Sequence, residues 1–233
     1  MISPEDRNRV LIKFMDETHV DSFVNQGLLH MNNIQYFREY EDKDPALRGD
    51  LHEGLSASYL PENVVLEING HIIADAVDKI DIREIHNEET NVYCMTILSD
   101  KNIIDAGHDG LHLSSDFIKF GNKAVFIGGS DIAKFYRRLE NAINNHPSIY
   151  TLEDDSIVGR KVTYLNRSDH HSRLNIYNKF HEYSWQFEWR LALKQKNKKG
   201  VLELRIGNLS DIVHVVDTES LINEAIKFQK NGL

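Results

Sequence analysis

A single cysteine, Cys94, stands among 233 residues. One thiol excludes an internal disulfide framework and a thiolate zinc site, and it points to a reducing cytosol. Prolines number only four, at Pro4, Pro45, Pro61 and Pro147, and no Pro/Ser/Gly-rich linker divides the chain. No apolar run approaches the roughly 20 residues that a membrane-spanning helix needs. Met1 to Arg7 lacks the basic-then-apolar order of a secretory signal, so the expected location is the cytoplasm. Cations are scarce too: 27 Lys and Arg against 36 Asp and Glu leave a formal charge of −9. That balance argues against general nucleic-acid binding.

Hydrophobic periodicity is present throughout. Val10 to Met15 is a short apolar run of β character, wetted by Lys13. Asp16 to Thr18 can cap a helix carrying Val20, Phe23 and Val24, and Gly27 supplies a left-handed stop. Leu28 to Phe37 restarts the chain in extended form. Asn69-Gly70 between Val64–Ile68 and His71–Val77 is a hairpin signal, because Asn-Gly accepts the two positive φ values of a tight turn. Ile80 to Ile85, Val92 to Leu98, Lys123 to Ile127, Val162 to Leu165, Ser184 to Leu193, Val201 to Ile206 and Ile212 to Val216 read as strands. Ile132, Phe135, Tyr136, Leu139 and Ile143 fall three and four apart, which predicts a helix to Asn144. Ser220 to Lys230 reads as a closing amphipathic helix. The expectation is one α+β domain over 1–233, with mixed, largely antiparallel sheets and a few flanking helices.

The segment richest in chemistry is Ser184 to Leu193, which holds both tryptophans. Strict alternation puts Trp185, Phe187, Trp189, Leu191 and Leu193 on one face, and Gln186, Glu188 and Arg190 together on the other. An amide, a carboxylate and a guanidinium in one row offer acceptors and donors on a rigid platform, and Glu188 could bind a ribose hydroxyl or act as a general base. The same row also suits a solvated sheet face with local ion pairs. Both readings stand at this level.

The Gln186-x-Glu188 pair on a late strand resembles the signature of one branch of the ADP-ribosyltransferase superfamily. Val10 to Phe37, read as strand, helix, glycine, strand, is similar in order to the start of that fold. The resemblance implies a split sheet and NAD as substrate. Glu188 would then be the catalytic glutamate orienting the nicotinamide ribose, with Gln186 its acceptor-side partner and Arg190 beside them. It further implies that Ser56 and Ser58, with Tyr59 behind, stand where the family carries its Ser-Thr-Ser strand, and that Tyr59 or Tyr183 stacks on the ligand. Where the family carries arginine or histidine on its first strand, this chain offers only Lys13, and the serine pair lies far upstream of Glu188. Trp185-x-x-Glu188-x-Arg190 also resembles a strand of small uncharacterised bacterial and phage-defence proteins. Together these likenesses imply a toxin or antiviral effector that takes a nucleotide-like small molecule, with a protein as acceptor or partner.

Other clusters carry alternatives. Asp42, Asp44, Asp50 and Glu53, with His52 and Arg48 nearby, are hard oxygen ligands able to hold Mg²⁺ in a metal-dependent nuclease, or a charged surface loop. Arg167, His170 and Arg173 suit a phosphate or an exposed turn. Gly128-Gly129-Ser130-Asp131 joins a strand to a helix, with Asp131 as an ordinary N-cap, and lacks a phosphate-loop lysine. Lys194 to Lys199 reads as a solvated hairpin tip. A non-catalytic nucleotide- or protein-binding module is the remaining alternative.

Overall fold

The computed structural model describes residues 3–4, 7–41, 50–73, 78–150, 159–196 and 200–228. The chain opens with β1 (Asn8–Met15), α1 (Glu17–Gln26), β2 (Leu28–Asn33), α2 (Ile34–Glu41) and β3 (Leu55–Tyr59). The hairpin β4 (Leu66–Ile68) and β5 (His71–Ile73) follows, then β6 (Ile80–Arg83), α3 (Ile85–Glu88), β7 (Asn91–Ser99), α4 (Asp100–Asp105), β8 (Lys123–Gly128) and α5 (Asp131–Asn144). The second half adds β9 (Ile149–Tyr150), β10 (Gly159–Lys161), β11 (Thr163–Leu165), β12 (Ser172–Arg173) and β13 (Asn178–Phe180). It ends with β14 (Glu188–Gln195), β15 (Leu202–Arg205), β16 (His214–Asp217) and α6 (Thr218–Asn223). The fold is α+β, and among the described residues every strand pair is antiparallel except β11 with β13.

The main sheet runs β10-β14-β7-β1-β8-β16, with β2 joining the end of β7 and β15 pairing with β2. Alternation along β1 divides the interior. Leu11 and Met15 enter a core with Phe23, Phe135, Leu139 and Trp189, under α1 and α5. Ile12 and Phe14 enter a second cluster with Leu98, Phe117, Trp185 and Phe187 on the opposite face. Beside the main sheet stands a three-stranded sheet, β12-β3-β6.

Local signals set several of these elements as expected. Asp16 accepts from the Thr18 amide at 3.0 Å, and Gly27 closes α1 at φ 59°. Asn69 and Gly70 take φ 50° and 81° between β4 and β5. Elsewhere the structure corrects the reading. Extended chain from Leu28 stops at Asn33, and Ile34–Glu41 is helical, with Asn33 accepting from the Tyr36 amide. The closing helix is only Thr218–Asn223, because Ile226 pairs with Leu111 instead. The cap of α5 is Ser130 rather than Asp131. The distal part of the second hairpin strand, most of the acidic loop and part of the Lys194–Lys199 tip lie outside the described residues.

Candidate functional site

The expected strand from Ser184 is broken. His181–Gln186 forms a 3-10 turn, Phe187 sits in the left-handed region at φ 46°, and the strand begins only at Glu188. A positive φ at a non-glycine residue is uncommon and reverses the alternation assumed across this segment. Trp185 and Phe187 therefore pack with Phe117 and Phe120, while Trp189, Leu191 and Leu193 fill the core beneath α5. Gln186 is not part of the strand row.

Glu188 and Arg190 do share a face, but it is covered rather than solvated. Glu188 is 4% exposed and Arg190 1%. Arg190 Nε donates to Glu188 Oε1 at 2.7 Å. Its two terminal nitrogens grip Glu53 through bonds of 2.6 and 3.0 Å, and Nη1 also reaches the Ile176 carbonyl. Lys179 Nζ completes the group, 2.8 Å from Glu188 Oε2 and donating to Gln186 Oε1 at 3.1 Å. The Tyr183 ring lies 5.1 Å from the same ammonium. Two carboxylates and two cations thus meet in the interior. They come from the loop before β3, from β13 and from β14.

The electrostatics follow from that meeting. Burial opposes ionisation of Glu188, yet Arg190 and Lys179 outweigh it and hold the carboxyl far below its usual range. Burial likewise opposes charge on Lys179, but Glu188 and Glu53 keep its ammonium protonated beyond the ordinary lysine range. Burial first, then the Glu188 charge, pushes the Cys94 thiol up to about 12, which keeps it protonated beside Glu188. The Tyr164 hydroxyl, raised by burial and by Glu188, accepts from the Glu188 amide at 2.8 Å.

Lys179 also borders the surface. With Asp50, His52, Gly54, Leu55, Asn175 and Asn178 it lines a narrow cleft of about 10 Å³, room for about one water. His52 is edge-on to Phe180 and 3.6 Å from Asp81, and burial followed by the Arg167 charge lowers its pKa, favouring the neutral ring. Among the described residues that line the cleft, Lys179 is the one that also pairs with Glu188.

The remaining predicted residues separate. Lys13 lies on the α1/α5 face: Ile12 is paired with Thr96, which is paired with Glu188, so the next residue of β1 points away from Glu188. Its ammonium caps the Cys94 carbonyl at 2.8 Å and stands over the Tyr93 ring. Ser56 and Ser58 lie on β3 in the smaller sheet, and neither they nor Tyr59 line the cleft. Ser56 accepts from Asn87, Tyr59 packs against His171, and the buried Ser58 hydroxyl has no hydrogen-bond partner among the described residues.

Of the acidic residues, Asp42 and Asp44 lie outside the described residues. Glu53 has both oxygens on Arg190, and Asp50 accepts from the His52 amide. Among the described residues no group of three His, Cys, Asp or Glu side chains converges as a metal site. Arg167 is engaged by Asp81, which ties this polar loop, read as a phosphate site or an exposed turn, to β6.

Sequence reasoning missed Lys179. It sits in Tyr177-Asn-Lys-Phe180, where no spacing motif marks it, and only the parallel pairing of β13 with β11 carries it to Glu188. No protein-family model, curated protein or solved structure matches the chain. No helix among the described residues is long and apolar enough to cross a membrane.

Proposed function

We propose that the chain acts on NAD as an ADP-ribosyltransferase-like enzyme, with the end of the dinucleotide that reacts entering the cleft at Lys179 and reaching Glu188 and Gln186. The observation that carries this reading is the position of Lys179, whose ammonium touches both residues of the Gln-x-Glu pair while the residue itself lines the cleft. In such a transfer the bond from ribose C1 to nicotinamide breaks, nicotinamide leaves, and an acceptor nucleophile bonds to C1 and gives up its proton. A carboxylate beside C1 has to remain ionised to favour the positive charge that develops there, and Glu188 meets that requirement across the physiological range. The cleft, at about 10 Å³, falls far below the roughly 300–1,000 Å³ of typical small-molecule sites, so it has to open for the reactive end to enter, and the rest of a dinucleotide lies along the open surface. Ser56, Ser58 and Lys13 have no part in this arrangement.

A second reading is favoured by a different fact. Both Glu188 oxygens already have cationic partners and the residue is 4% exposed, which suits a structural brace beneath a non-catalytic binding cleft. One experiment separates the two: incubation with NAD labelled in the nicotinamide ring, comparing wild type with Glu188→Gln. Release of nicotinamide by wild type and its loss in a folded Glu188→Gln supports the enzyme. Binding without release supports the brace. Absence of both binding and release removes NAD from the account.

A further inference from the structure

Lys179 has an unusual set of neighbours for a lysine that merely balances charge. Its side chain is 8% exposed, and its ammonium meets a carboxylate oxygen, an amide oxygen and an aromatic ring, from Glu188, Gln186 and Tyr183. Carboxylate, carbonyl and π face are the three groups that recognise an organic cation. Two of the three are supplied by the 3-10 turn His181–Gln186 and the third by the first residue of β14, so the cradle is built by one continuous stretch of chain. The cation that fills it comes from the residues just before that stretch, the three-residue strand β13, between turns at 175–178 and 181–186. Glu188 keeps Arg190 as a second partner when Lys179 is removed. The cradle can therefore lose its lysine without leaving the carboxylate alone in the interior.

We propose that Tyr183, Gln186 and Glu188 form an organic-cation subsite that Lys179 occupies from within the chain, and that a ligand bearing a guanidinium or alkylammonium displaces it. The inference does not depend on NAD. It concerns what the three side chains bind. A cationic ligand entering from the cleft meets Lys179 first, and its binding moves β13.

Methylguanidinium is the probe, and methylurea is its neutral counterpart of nearly the same shape. In Lys179→Ala the vacated cradle takes methylguanidinium, raising the melting temperature saturably by about 2–4 °C, while methylurea has no such effect. Lys179→Met, which fills the space without charge, shows no rise. Should Lys179→Ala not fold in buffer, recovery of the native circular dichroism with methylguanidinium and not methylurea reads out the same preference. Wild type supplies the arm that a fixed structural lysine would fail. Acetylation of Lys179 by an amine-reactive ester, followed by peptide mass spectrometry, increases several-fold with methylguanidinium and not with methylurea. Equal effects of the two probes on Lys179→Ala would overturn the subsite, and unchanged wild-type labelling would overturn displacement. Neither outcome bears on nicotinamide release, so failure here and failure of the NAD reading are separable.

Discussion

At the scale of single residues, the account rests on a neutral group of four charges that no short stretch of sequence contains. Ion pairs this deep lose much of their mutual attraction to desolvation, but removing one partner strands the others. Arg190→Met leaves Glu53 without its two donors and Glu188 with Lys179 alone, and is expected to cost about 3–5 kcal/mol in urea unfolding. The pH dependence has a definite sign on each side. Glu188 has a depressed folded pKa, so its contribution is complete above the unfolded value of about 4.3 and is lost as pH falls toward the folded one. Lys179 has a raised folded pKa, so its contribution is complete below about 10.4 and is lost as pH rises through the folded value. Stability measured by urea titration therefore has a plateau between these limits. Glu188→Gln shallows the acid limb and Lys179→Met the alkaline one. Unchanged limbs in both variants would contradict the assignment of charge. Glu188 and Arg190 were legible as a pair on one face, because period-two alternation is local. Their burial was not legible, since the covering groups, Glu53 and Lys179, reach them through tertiary pairing.

At the scale of elements, the readings that held were those with a local physical cause. Asp16 and Gly27 bracket α1, and Asn69-Gly70 turns its hairpin, because caps and turns are decided by a few consecutive residues. Those that failed assumed a pattern would continue. Alternation through Ser184–Leu193 ignored the left-handed Phe187, and helical spacing beyond Asn223 ignored a bridge from Ile226 to Leu111 over a hundred residues away. Gly27 tests the first class. Besides its φ of 59°, a Cβ there would run into the Gly207 carbonyl oxygen and the Ile206 side chain. Gly27→Ala is thus expected to lose more than about 1 kcal/mol by chemical denaturation, whereas a loss near zero would show that the α1–β2 turn relaxes freely.

At the scale of the whole molecule, the shortage of cations seen in the composition takes a particular form. The central ones are consumed internally: Arg190 and Lys179 by Glu53 and Glu188, and Arg167 by Asp81. What remains at the cleft is a mixed lining, with Asp50, His52, Asn175 and Asn178 beside Leu55 and Phe180 around the nearly buried Lys179. The α+β frame brings Gln186, Glu188 and Arg190 to that place while sending Lys13 to the other face and the serines to a neighbouring sheet. The central claim is that Glu188 serves a reacting NAD molecule. Its most direct test is nicotinamide release from ring-labelled NAD by wild type and by Glu188→Gln, each verified as folded by circular dichroism. Wild type is expected to release nicotinamide and the variant to lose at least about 100-fold, the scale of removing one electrostatic stabiliser from a transition state. Equal release by the two proteins, or none by wild type, would contradict that claim.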